Sequence, residues 1–302
     1  MTPTAAVFEV KRFAVHDGPG VRTVLFLKGC SLRCRWCHNP EGLEAAPQLA
    51  CYDHKCLHCG ECVAVCPHGV HAMPDGRHTV DVARCAACGA CVEACLGRAL
   101  KLYGRTLTVD AARRLILQDR AFYREGGGAT LSGGEPLLQA EFCAELFRRL
   151  KDDGIHCALD TSGAVPWDRF EQVLPWTDLF LYDVKHMDDA LHREYVGRSN
   201  RQIIENLRRL AEGSVSIEIR IPVIPGFNDD PASVDAIGRL LGQLRAVVGV
   251  RLLPYHTASS KYDALRCANT MPQVDEPTKD QMAALAARLA TFLDTTRVKF
   301  HT

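Results

Sequence analysis

Twelve of the fifteen cysteines in this 302-residue chain fall between Cys30 and Cys95. Nothing else in the sequence limits the fold so tightly, because that many thiols in so short a stretch must be assigned either to bridges or to metal. The start of the chain, Met1-Thr2-Pro3-Thr4-Ala5-Ala6, lacks a basic stretch followed by an apolar one, so no signal peptide is expected. No apolar run approaches the roughly 18 residues of a membrane span. The expected location is cytoplasmic, and in a reducing cytosol cysteines serve metal more than disulfides. Cys143, Cys157 and Cys267 stand singly in later segments and read as small buried hydrophobes.

The first group is Cys30-Ser31-Leu32-Arg33-Cys34-Arg35-Trp36-Cys37, a C-x3-C-x2-C loop directly after the apolar run Val21 to Leu27. Three soft thiolates suit iron–sulfur or zinc. A structural site wants four ligands, so three leave a position where a substrate can meet the metal. The second group is a repeat. Cys56-x2-Cys59-x2-Cys62-x3-Cys66 recurs 29 residues later as Cys85-x2-Cys88-x2-Cys91-x3-Cys95. It resembles the bacterial two-cluster ferredoxin pattern, in which the fourth Cys of each run ligates the other cluster. That resemblance implies one set of Cys56, Cys59, Cys62 and Cys95, and another of Cys85, Cys88, Cys91 and Cys66. Leu96 stands where the pattern usually has Pro, while Pro67 keeps it in the first copy. Cys51 is left over, either a substitute for Cys56 or a spare thiol.

Lys+Arg and Asp+Glu balance at 36 each, so charge points to neither nucleic acid nor membrane. Residues 48–103 are Cys-rich with few long apolar runs and read as an inserted minidomain held by its ligands. Around it, residues 1–47 and 104–302 form the main domain. Residues 7–13 read as a short strand. Further strands are expected at 21–28, 129–132, 155–160, 178–183, 215–221 and 249–254. Helices are expected at 108–123, with Thr108 as N-cap, and at 139–153, 200–212, 231–246 and 277–293. This alternation implies an α/β fold with a parallel sheet and helices outside. Six units are too few for a closed eight-stranded barrel.

The run Phe13-Ala14-Val15-His16-Asp17-Gly18-Pro19-Gly20-Val21-Arg22-Thr23 leads into the cysteine loop, and His38-Asn39-Pro40-Glu41 follows it. With the loop itself, this stretch resembles the entry signature of the glycyl-radical-enzyme activating enzymes, a subfamily of the radical S-adenosylmethionine (SAM) enzymes. The resemblance implies a partial (β/α)6 TIM-like barrel carrying a ferredoxin-like insert. It also implies a [4Fe-4S] cluster on Cys30, Cys34 and Cys37 with exchangeable SAM on the fourth iron. Reductive cleavage then yields a 5′-deoxyadenosyl radical that takes hydrogen from a glycine of a partner glycyl radical enzyme. Reduced flavodoxin or ferredoxin is the implied electron donor, and a monomer is expected.

The same resemblance assigns the strand ends. Gly133, Gly134 and Glu135 match the motif that binds the SAM amino group. Asp160 and Lys185 match contacts to its ribose and carboxylate, and Asp183-Val184-Lys185-His186 ends the fourth strand. Asp160 and Asp183 also match a monovalent-cation site beside SAM. Arg220 suits a carboxylate clamp, His256 matches a SAM-contacting histidine with Ser260-Lys261-Tyr262 after it, and Trp36 and His38 flank Cys37 where adenine packs. An enclosed site with few titratable groups beyond these clamps is expected, since a radical must be kept from water. Two rivals remain: a radical SAM enzyme acting on a small molecule or another peptide, and a ferredoxin-type electron carrier.

Overall fold

The computed structural model describes residues 2–124, 126–294 and 299–301. The chain opens with β1 (Thr4–Ala14) and β2 (Arg22–Leu27), an antiparallel pair with Val10 opposite Leu25. Four short strands follow in the Cys-rich stretch: β3 (Gln48–Cys51), β4 (His71–Ala72), β5 (Thr79–Val80) and β6 (Leu100–Tyr103). β7 (Arg105–Thr108) pairs antiparallel with the start of β1. Then come β8 (Gly128–Gly133), β9 (His156–Thr161), β10 (Leu179–Asp183), β11 (Ser216–Val223), β12 (Val247–Pro254) and β13 (Lys299–His301). The main sheet runs β13-β12-β11-β10-β9-β8-β2-β1-β7. Every pairing from β2 through β8 to β13 is parallel.

These strands are apolar almost without interruption, because a parallel sheet between helices is buried on both faces. Leu25, Leu131, Leu159, Phe180 and Ile219 are all fully enclosed. Helices connect the strands: α3 (Val109–Leu117), α4 (Ala140–Asp152), α5 (Trp167–Val173), α6 (Asp189–Val196), α7 (Arg201–Ala211) and α8 (Pro231–Leu241), with α9 (Ser259–Leu265) and α10 (Lys279–Ala290) after β12. The Cys-rich stretch adds two one-turn helices, α1 (Glu61–Val65) and α2 (Ala90–Ala94). The Thr108 hydroxyl accepts from the Ala111 N–H at 3.2 Å, as a cap should.

The six expected parallel strands are present. The expected helix over 108–123 ends at Leu117, and a short 3-10 turn, Arg120–Phe122, takes its place. The helix expected to reach 246 stops at Leu241, with Gly242 as its cap. Cys143 and Cys157 are fully buried, but Cys267 is exposed, contrary to the sequence reading, because it lies beyond α9, which ends at the left-handed cap Arg266.

Six strands at about 4.8 Å spacing would spread roughly 24 Å if laid flat. Yet Lys261, beyond β12, donates to the His38 carbonyl, beyond β2, at 2.8 Å. The sheet therefore curls until its two sides meet across the C-terminal strand ends. β3 and β6 pair antiparallel, Gln48 opposite Tyr103 and Cys51 opposite Leu100, and tie off the Cys-rich stretch between them. No helix among the described residues is long and apolar enough to cross a membrane.

Candidate active site and metal centres

The curl encloses a cavity of about 660 Å³ over the C-terminal ends of the strands. Such a volume suits a cofactor-sized ligand. Cys30, Cys34, Trp36, Cys37 and His38 line one side of it, after β2. Gly133, Gly134, Asp160, Asp183, Lys185, Arg220 and His256 line the rest, from the ends of five strands and the loops that follow them.

The cysteine loop is held from three directions. The Arg33 and Arg35 N–H groups donate to the Val196 and Tyr195 carbonyls of α6, both at 2.9 Å. Cys30 N–H donates to Leu43 at 3.0 Å. From α9, the Tyr262 hydroxyl donates to the Cys37 carbonyl at 3.0 Å, and Lys261 pairs with buried Glu41 at 3.0 Å. Trp36 packs on Phe227 with ring centroids 4.8 Å apart. Burial pushes the Cys30 and Cys37 thiols up to about 12 and raises Cys34 as well. As thiols these groups are neutral; a bound cation turns them into ligating thiolates.

Charge is concentrated opposite the loop. Lys185 Nζ sits 2.6 Å from Asp183. Burial works against its charge, but the Asp183 carboxylate holds its pKa above the ordinary lysine value. Asp160 is pushed up to about 6, by burial first and by Asp183 and Asp17 as well, against the pull of Arg220 and the Ser132 hydroxyl. Ser132 donates to Asp160 at 2.6 Å, and Arg220 lies 3.4 Å from Asp160 and 3.7 Å from Asp17. The buried Arg220 Nε has no hydrogen-bond partner among the described residues.

Three expected residues lie outside the cavity lining. Glu135 is fully enclosed and saturated: it accepts from the Thr161 hydroxyl at 2.8 Å, the Ser162 hydroxyl at 2.6 Å, and the N–H groups of Ser162 and Leu137 at 2.9 and 3.2 Å. It braces the β8 and β9 ends together, while the glycines before it form the wall. A Cβ on Gly134 would come within 2.2 Å of the Gly29 carbonyl, so only glycine fits there. Val184 is buried and its N–H donates to the Arg220 carbonyl at 2.9 Å. His186 faces α8, 3.1 Å from the Ser233 hydroxyl, with its ring on Phe227. His256 does line the cavity, but at its exposed mouth, 3.0 Å from Glu276.

The cavity holds more titratable groups than expected: Glu9, Lys11, His16, Asp17 and Lys261 line it too. Their strands or turns were visible in the sequence, but only the curl brings them to the site. Arg22, also unforeseen, is fully buried beneath it. Its guanidinium donates to Thr130 at 2.6 Å, to Gly126 at 2.9 Å and to Pro19 at 3.0 Å, which pins the Asp17-Gly18-Pro19-Gly20 turn.

The Cys-rich stretch repeats in three dimensions. Cys56 and Cys85 each accept from the N–H two residues on, both at 3.4 Å. Cys66 and Cys95 each accept from the N–H four residues on, at 3.4 and 3.2 Å. His58 and Ala87 share a positive φ, 53° and 54°. The Cys62 thiol is raised by burial and then by Cys56, Cys95 and Cys59. Cys91 is pushed up to about 11 by burial and then by Cys85, Cys66 and Cys88. Each third thiol thus senses two from its own run and the fourth of the other run. A cavity of about 10 Å³ lies among Cys66, Cys85, Cys88 and Cys91. Cys51 is buried in β3.

A family model for the radical SAM superfamily matches residues 24–235. The chain belongs to that superfamily. It is 44% identical over 268 residues to the isethionate sulfite-lyase activating enzyme of Desulfovibrio desulfuricans, with 86% of each chain covered. It is 40% identical over 294 residues to the benzylsuccinate synthase activating enzyme of Thauera aromatica, covering 94% of this chain and 89% of that one. The structure of Streptococcus suis SuiB bound to precursor peptide SuiA matches with a TM-score of 0.54 at 10% identity, over 92% of this chain and 48% of that one, a likeness of fold alone. Within the superfamily the protein is a glycyl-radical-enzyme activating enzyme, an oxidoreductase that cleaves SAM and takes hydrogen from a glycine of its partner.

Proposed function

We propose that Cys30, Cys34 and Cys37 hold the [4Fe-4S] cluster and that SAM occupies the 660 Å³ cavity beside them. The observation that carries this reading is the meeting of three thiols with Asp160, Asp183, Lys185 and Arg220 around one cavity. The donor set fits the group: three soft ligands and an open side. When bound there, the cluster supplies the electron that breaks the sulfonium bond of SAM.

The chain's own residues do the positioning. Lys185 and Arg220 offer cationic ends for the SAM carboxylate. Asp160 and Asp183 face an ammonium, a ribose or a monovalent cation. Gly133 and Gly134 offer bare backbone to the amino group, with Glu135 fixing their conformation from behind. Trp36 and His38 form a surface for adenine, with His256 across the mouth. Val184 and His186 act by holding the β10 end in place. The apolar wall excludes water from the reactive end.

The fold is read as a partial (β/α)6 barrel of residues 1–47 and 104–302, with residues 48–103 inserted as a ferredoxin-like unit. The β3–β6 pairing supports those bounds. Two further [4Fe-4S] clusters sit on Cys56, Cys59, Cys62, Cys95 and on Cys85, Cys88, Cys91, Cys66. The crossed electrostatic neighbours of Cys62 and Cys91 support these sets, with Cys56 as ligand and Cys51 as a buried spare. Reduced flavodoxin or ferredoxin is the electron donor, and the insert would serve to relay the electron, to dock the partner or donor, or to brace the barrel. The protein works as a cytoplasmic monomer on a glycyl radical enzyme.

The test mixes reduced, SAM-loaded protein with candidate glycyl radical enzymes under anaerobic conditions. A glycyl-radical EPR doublet on the partner, with 5′-deoxyadenosine formed in step, is expected. Deoxyadenosine with no protein radical would favour a small-molecule substrate instead.

A further inference from the structure

The two halves of the insert repeat differ in polarity at one buried pair of positions. His71 lies nine residues after Cys62, and Leu100 lies nine after Cys91. Leu100 packs in an apolar cluster with Cys91, Leu49 and Cys51. His71 is only 4% exposed, and a ring nitrogen of His71, one of His78 and the Cys62 sulfur lie within 4.8 Å of one another. His71 Nδ1 is 2.9 Å from His78 Nε2, with the rings stacked. His71 Nε2 is buried without a hydrogen-bond partner among the described residues. A buried polar atom left unpaired is costly, so its presence calls for a partner.

Resting on the accessory-cluster reading above, we propose that His71 Nε2–H donates a hydrogen bond to the Cys62 sulfur once that sulfur ligates its cluster. His78 fixes the ring by occupying Nδ1 and so sets which nitrogen carries the proton. An N–H donor favours the more electron-rich, reduced cluster, and hydrogen bonds to sulfur are a main determinant of cluster potential. The cluster on Cys56, Cys59, Cys62 and Cys95 is therefore the higher-potential of the accessory pair. Its counterpart, with Leu100 in the equivalent place, is the lower. His71 is a positioning residue for electrons, and the two centres are not interchangeable.

The test is a redox titration of the fully loaded protein without SAM, followed by EPR. His71→Leu should retain about twelve irons and lower the reduced fraction of one accessory cluster about tenfold at fixed potential, ~59 mV for one electron. His71→Gln, which keeps an N–H, should recover most of that loss. An unmoved potential in the leucine variant overturns the proposal. Should that variant load poorly, wild-type protein with 15N-labelled histidine decides: pulsed EPR should show nitrogen coupling to one reduced accessory cluster, and no coupling contradicts the hydrogen bond. The underlying reading fails separately if Cys59→Ala and Cys88→Ala each leave the iron count unchanged, or if zinc replaces the irons of the insert.

Discussion

The parallel α/β sheet and the Cys-rich stretch of residues 48–103, read above as barrel and insert, are held together by different means. The barrel rests on an apolar core that needs no metal: Val24, Leu25, Leu131, Phe147, Phe170 and Tyr182 are completely enclosed. The insert has a core of Leu49, Cys51, Cys91 and Leu100, with more thiols packed at its edge. Its first short helix, α1, buries no residue, and Leu57 and Leu96 stand 64% and 77% exposed. A segment so poor in core cannot offset its conformational entropy by burial alone. On the proposed reading, the protein separates a reaction chamber packed by its own core from an appendage held by its ligands.

The largest expected effect breaks the chamber's chemistry without touching its fold. Cys34→Ala should lower SAM cleavage at least a thousandfold, leave about eight irons in the insert and keep thermal unfolding of the barrel unchanged. Normal turnover would remove the main assignment. Next, iron chelation under reducing conditions should make residues 48–103 about a hundredfold more susceptible to protease while the barrel fragment stays folded. Equal susceptibility of both regions would erase the contrast between them. Cys91→Ala should leave SAM affinity within about twofold and slow partner activation about tenfold. Unchanged activation would reduce the insert to a brace.

The smallest effect lies within the chamber. Asp160 is raised from 3.8 to about 6, chiefly by burial. The folded state therefore holds its proton more tightly than the unfolded chain, and stability falls as pH rises through about 4 to 6. Asp160→Asn should remove that slope, measured as a Tm that no longer falls between about pH 4 and 6. The same variant should bind SAM more weakly. A Tm that falls across this pH range in the variant as in the wild type would contradict the assignment.

Much of this was legible because it follows from local pattern. The six parallel strands are continuous apolar runs, and the cysteine spacings mark their loops. β7 was not foreseen, since Arg105-Thr106-Leu107-Thr108 is too short and polar to stand out from a turn. α5 and α6 were missed for a similar reason: each is a helix of only about two turns. At the site, a motif locates a backbone but not the direction of its side chains. Glu135 turns inward to four donors, and His186 turns toward Ser233. Asp17 reaches Arg220 only through closure of the sheet across some two hundred residues of sequence, a contact no local pattern encodes.

The measurement that reaches the central claim most directly is anaerobic cluster assembly, dithionite reduction and addition of SAM, read by iron analysis, EPR and nucleoside products. About twelve irons per chain, an EPR change on adding SAM and release of 5′-deoxyadenosine are the predicted result. Eight irons, an unaltered spectrum and no deoxyadenosine would contradict the account and leave an electron carrier with an inert barrel.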